Sequence, residues 1–148
     1  MKKVMLTTAL LFALLGSAIA QDISQGFVFY GGTFKIDVTQ EWTSTNYSIA
    51  AGAMVSLVVR GVASTNGVSD WVGPAGDYEI AEPGVGFLLV GWPKNSVIGK
   101  IGPTGTPFFV GNQLTFTANK SGVLYLGYND RSGNFGDNAG YFIAYLVR

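Results

Sequence analysis

Within the ten positions 129–138 the chain places Asn129, Asp130, Ser132, Asn134, Asp137 and Asn138, with Gly133 and Gly136 among them and Gly140 just beyond. That is a dense supply of side-chain oxygen in a protein with only nine acidic residues in all. Carboxylate, amide and backbone oxygens are what calcium takes, six to eight at a time and in tolerant geometry. Glycine lets the backbone fold tightly enough to gather them. The same residue types also make ordinary solvated turns, so composition alone leaves a turn and a metal loop both open. An EF-hand is excluded by spacing. With Asp130 as position 1, position 6 is Phe135 instead of Gly and position 12 is Tyr141 instead of Glu.

Other chemistries fall away quickly. The chain has no His and no Cys, which removes Ser-His-Asp and Cys-His nucleophile systems and the usual zinc ligands. Asp130 and Asp137 as a glycosidase pair would need one of them protonated near neutral pH, and a calcium ion would hold both ionised. The expectation is a protein without enzymatic activity. "GPTGTPFFVG" lacks the Lys-Ser or Lys-Thr of a phosphate loop.

The elements that must position this loop read as strands. The region after residue 20 breaks every several residues at Gly, Asn or Pro, and "TFKIDV" alternates Phe34, Ile36 and Val38 with Thr33, Lys35 and Asp37. "MVSLVVRG", "GFLLVGW", "NSVIGKIG", "QLTFTAN", "GVLYLGY" and "YFIAYLVR" are further strand candidates. Outside the first residues no window shows a helical stripe. Strands 123–128 and 141–147 are apolar on both faces, which suits the middle of a two-sheet sandwich or a face covered by a partner subunit. The expected fold is all-β, a two-sheet antiparallel β-sandwich. Two long stretches, 61–84 and 129–140, read as loops and therefore as candidate functional segments. Trp42 reads as packing beside a strand; Trp71, in the first long loop, fits packing and sugar stacking equally well.

Residues 1–20 read as a signal peptide: Lys2 and Lys3, an apolar run from Val4 to Leu15, and Ala18-Ile19-Ala20 before Gln21. The run is shorter than the roughly 20 residues that span a bilayer, and no Cys follows it for lipid attachment. The expected product is residues 21–148 as one domain, secreted or periplasmic, with no membrane insertion once the signal is removed. In that product acids outnumber bases by two, which offers no footprint for nucleic acid.

Three segments, in order, resemble the calcium-dependent galactose-binding bacterial lectins of the PA-IL-like family. "LYLGYNDRSGNFGDNAGYFIAYL" is similar to the family's C-terminal signature, a Tyr-Asn-Asp leading into a Gly-rich loop that ends in paired Asn. "RGVASTNGVSDWVGPAGDYE" resembles its "GWASYG…WGPQGD" region and "SVIGKIG" its Leu-Ile-Gly-Lys-Ile-Gly-type strand. The resemblance covers most of residues 33–148. It implies a jelly-roll, galactose-binding-like sandwich carrying one Ca2+ between the two loops, with sugar hydroxyls completing its shell. Asp130, Asp137 and Asn138 would be side-chain ligands, and Asn134 and Thr65 backbone ligands. Asp137 stands where the family's best-known member has Asn, and the added charge should strengthen calcium binding.

By the same resemblance a carbohydrate would meet Asp130, Arg131, Asn134, Asp137 and Asn138. The His and Gln that hydrogen-bond galactose in the galactose-specific members fall on Ile80 and Pro83, which offer no side-chain hydrogen bond. The implied function is a secreted, calcium-dependent, lectin-like protein, with a calcium-stapled structural domain as the alternative. Weak single-sugar sites gain from linkage, and a two-sided apolar C-terminal strand would be awkward at an open edge. Both point to a homo-oligomer.

Overall fold

The computed structural model describes residues 30–147; the signal segment read over residues 1–20 lies outside them. Eight strands form: β1 (Tyr30–Asp37), β2 (Thr43–Ile49), β3 (Met54–Ser64), β4 (Val97–Ile101), β5 (Phe108–Phe109), β6 (Gln113–Thr117), β7 (Gly122–Tyr128) and β8 (Ala139–Val147). They make two four-stranded sheets, ordered β1-β8-β3-β6 and β2-β7-β4-β5, with every neighbouring pair antiparallel. Eight strands in two such sheets make a jelly-roll sandwich, and no helix occurs among the described residues.

Period-two patterning builds the core. Ile36 of β1, Val55, Leu57 and Val59 of β3, and Phe142, Ala144 and Leu146 of β8 point inward from one sheet. They meet Val97 and Ile101 of β4 and Leu124, Leu126 and Tyr128 of β7 from the other. Each of the large aliphatic and Phe side chains among these contributes roughly 1.5–3 kcal/mol on full burial.

Several expectations are corrected. "GFLLVGW" is not a strand. Gly86 and Gly91 take φ of 88° and 81°, left-handed conformations that break an extended run at both ends, and only the isolated Phe87↔Arg131 bridge remains. The first loop consequently runs from the end of β3 at Ser64 to β4, starting later and ending later than 61–84. Strand β2, "TSTNYSI", is mostly polar, with Asn46 at φ 55° where its register against β7 shifts. The pattern of apolar alternation passes over it. β8 lies between β1 and β3, so the open-edge argument for oligomerisation does not apply to it. Trp42 is half-buried on the outer side of the second sheet, where Lys100 Nζ sits 4.2 Å from its ring centroid and Gly127 leaves room for the indole.

Candidate functional site

The oxygen-rich loop begins where β7 leaves the sheet. Asn129 is fully buried: its side-chain oxygen accepts from Leu89 N–H at 2.9 Å, and its amide donates to the Leu89 and Pro93 carbonyls at 2.9 and 3.0 Å. Its amide is therefore spent on clamping the first loop to the root of the second, not on a ligand. Farther along, Phe135 is buried and joins the core, so the loop is pegged at its middle. Glu41, from the β1–β2 turn, accepts from the Ser132 hydroxyl and from Gly133 N–H at 3.2 Å. Three anchors thus fix a segment whose composition alone would suggest a free turn.

Asp130 is 5% exposed. One carboxylate oxygen accepts from Arg131 N–H at 2.7 Å, the other from the Asn138 amide at 3.1 Å. Burial pushes its carboxyl above the ordinary carboxylate range, and those two hydrogen bonds only partly counter it. Asn138, also buried, donates in addition to the Val38 carbonyl at 2.9 Å. Its side-chain oxygen is buried with no hydrogen-bond partner, as is the Tyr128 hydroxyl, whose pKa burial raises strongly. Orphaned buried acceptors are rare and costly. One beside a buried carboxylate, in a loop of further oxygen donors, suits a cation.

The first loop supplies the opposite wall. Ser64, at the end of β3, is buried and accepts from the N–H groups of Asn66 and Gly67, while Asn66 Oδ1 accepts from Val68 and Ser69 N–H. Beyond it "GPAGD" docks against the approach to β4. Asp77 N–H donates to the Lys94 carbonyl at 3.0 Å and Val97 N–H to that of Pro74 at 2.8 Å. Gly76 fits there because a Cβ would lie 2.3 Å from the Lys94 carbonyl oxygen. Asp77 then accepts from Glu79 N–H and from the Asn95 amide, and its carboxyl is raised, chiefly by burial.

Between the two walls lies a hollow of about 810 Å³, lined by Thr65, Asp70, Asp77, Tyr78, Glu79, Phe87, Lys94, Asn95, Asp130, Arg131, Asn134 and Asp137, among others. Thr65, Asp130, Arg131, Asn134 and Asp137, all expected at the site, come together around it. Asn138 stands directly behind Asp130. Ile80 and Pro83 do not line it; they line a neighbouring hollow of about 530 Å³ with Ala81 and Val90, joined to the first through Glu79 and Lys94. Those two residues form a 2.6 Å salt bridge at the shared border. Lys94 Nζ and the Arg131 guanidinium also flank the Phe87 ring, 5.6 and 5.4 Å from its centroid.

Nothing in residue type or spacing singles out Asp70, Tyr78, Phe87 or Lys94. Asp77 is visible in the sequence only as the end of a motif, and the contacts that bring these residues together are tertiary. Among the described residues no cluster of three or more His, Cys, Asp and Glu side chains is arranged to hold a metal. A cation here would therefore depend on amide and backbone oxygens beside Asp130 and Asp137, as hard divalent ions permit.

No family model matches the chain, and no curated protein matches it. Among solved structures it is similar to one described as "EclA N-terminal domain; PllA-like lectin". The two share a fold. The match has a TM-score of 0.61 at 22% identity, covering 82% of this chain and 97% of that one.

Proposed function

We propose that this domain is a calcium-dependent carbohydrate-binding protein, exported by the signal segment read over residues 1–20, with no catalytic role. Three observations support this reading. The fold is shared with a domain described as a lectin, the sequence resembles the PA-IL-like lectins at both loops, and the two loops enclose a hollow rich in oxygen. The observation that carries the metal is the buried, unpartnered Asn138 oxygen beside the buried Asp130 carboxylate.

Asp130, Asp137 and Asn138 would hold calcium by side-chain oxygens, with Asn134 and Thr65 contributing backbone carbonyls. Calcium, which takes six to eight oxygen ligands, would offer its remaining positions to a sugar's adjacent hydroxyls. The remaining work belongs to the protein. Asn129, Phe135 and Glu41 hold the loop in place before any ligand arrives, which lowers the ordering cost of binding. Tyr78, fully exposed at the rim, offers a ring face to an apolar sugar surface.

The test is glycan-array binding in calcium and in chelator, paired with thermal melting. A ligand that binds only the folded state adds about 2.7 kcal/mol at a hundredfold excess over its Kd. Chelation should lower the Tm by several degrees, and Asp130→Ala should abolish that difference. An identical melting curve with and without chelator would refute the metal. Calcium stabilisation with no glycan bound would instead mark the ion as a structural staple.

A further inference from the structure

A second hollow, of about 470 Å³, lies on the outer face of the β1-β8-β3-β6 sheet, apart from the oxygen-rich loop. Its walls are aromatic: Trp71 and Tyr141 are 49% and 50% exposed. The Trp71 ring rests against the strand at Gly140, where a Cβ would come within 2.9 Å of its Cζ3 atom. No bulkier residue would let the indole lie there. In register, Tyr141 sits across from Val62, and Ile143 sits between Arg60 of β3 and Lys35 of β1. Its volume falls in the range of small-ligand sites.

Within the hollow itself the charge is positive. The hollow's lining contains Arg60 and no acidic residue. Arg60 donates to the carbonyl of its neighbour Val59 at 2.9 Å. The salt bridge found among the described residues, Lys94–Glu79, does not involve it. Lys35 Nζ stands 4.8 Å from the Tyr141 ring centroid. Asp37 of β1, across from Tyr141 in register, accepts from the Thr39 N–H and hydroxyl and stays ionised beside Lys35, so Arg60 is the cation that the hollow's lining offers.

We infer that this hollow is a second saccharide site, independent of calcium, that takes an acidic sugar: a hexuronate stacks its apolar C–H face on Trp71 and Tyr141 and pairs its carboxylate with Arg60. Exposed aromatic faces suit the apolar side of a pyranose ring. A guanidinium fork matches a carboxylate in two parallel hydrogen bonds. A second copy of the chain is the competing occupant, and the charge argues against it. A two-fold interface through one self-complementary patch would bring Arg60 close to its own counterpart with no acid in the hollow's lining to meet it, and like charges facing one another are costly.

The experiment is calorimetric titration of the protein with tetragalacturonate in EDTA, which silences the calcium site, set beside the methyl-esterified tetramer. Saturable binding of the acid is expected, at least tenfold weaker for the ester and for Arg60→Gln, lost in Trp71→Ala and unchanged in Asp130→Ala. Arg60→Gln changes only a surface group, so its result stands even if Trp71→Ala does not fold. No saturable binding by the native protein, equal affinity for acid and ester, or an unaffected Arg60→Gln would overturn the site. Sedimentation showing a dimer that Tyr141→Ala dissociates would assign the face to a second copy and overturn it equally. Each of these outcomes is separable from failure of the calcium reading, which is tested with calcium present.

Discussion

Asn138 donates through one amide group both to the Val38 carbonyl at 2.9 Å and to the Asp130 carboxylate at 3.1 Å, so a single buried side chain ties the oxygen-rich loop to the end of β1. Replacing it with Leu strands a buried carbonyl and removes a donor from a buried carboxylate. An unsatisfied buried group costs about 1–3 kcal/mol. Asn138→Leu should therefore destabilise the metal-free protein by about that amount in urea denaturation in EDTA, and should also abolish stabilisation by added calcium. A variant with unchanged metal-free stability would show that the amide is not structurally engaged.

Glu41 tests preorganisation without touching a proposed ligand. Its carboxylate receives the Ser132 hydroxyl and the Gly133 N–H. Glu41→Ala should leave the fold intact yet loosen the loop, weakening calcium by roughly fivefold if the lost bonds contribute about 1 kcal/mol. Calcium titration followed by Tm gives the readout, and an unchanged Kd would mean the loop is held by Phe135 and Asn129 alone.

Much of this arrangement is legible in the residue pattern. Alternation exposes β1, and apolar runs bounded by Gly, Asn or Pro expose β3, β4, β6, β7 and β8, because each buries at least one face in a common core. β2 escapes because Thr43, Ser44, Thr45 and Ser48 give it little apolar signal, and β5 because two residues carry no period. "GFLLVGW" misleads because a short apolar run has the same composition whether it pairs in a sheet or folds between left-handed glycines. At the site, oxygen content locates the loop, but residue type does not separate Asn129, which clamps Leu89, from Asn134 and Asp137, which face the hollow. The opposite wall, with Asp70, Tyr78, Phe87 and Lys94, is assembled only by tertiary contacts.

The turn leading to Val38 carries its own pH signature. Asp37 accepts from the Thr39 hydroxyl at 2.6 Å and the Thr39 N–H at 3.0 Å, and these bonds, the hydroxyl first, hold its carboxyl below the ordinary 3.8. A folded pKa below the unfolded one means that the unfolded chain binds more protons in that interval. The stabilisation is thus present above about pH 4 and is lost as pH falls through the lower folded value. Because the group is largely exposed, the effect on stability is small. Carboxyl NMR titration should show Asp37 below ordinary aspartates and moving upward in Thr39→Val. No movement would assign the shift to another group.

On the proposed reading, sugar specificity would be set by what lies beyond the Glu79–Lys94 bridge. In the galactose-specific lectins that the sequence resembles, a His and a Gln stand where Ile80 and Pro83 stand here. Ile80 and Pro83, with Ala81 and Val90, form the apolar part of an annex that adjoins the oxygen-rich hollow and also carries Glu82. A site built to hydrogen-bond a hydroxyl discriminates strongly, whereas an apolar wall is worth only about 1–3 kcal/mol per group. Free galactose should accordingly bind weakly or not at all in calcium, and an aryl galactoside whose ring reaches Ile80 should bind about tenfold tighter or better. Ile80→Ser should erase that aryl advantage, while Ile80→His should improve free galactose by adding a donor. Tight binding of free galactose by the unmodified protein, with no gain from the aryl group, would show that the sugar's outer edge never faces this annex.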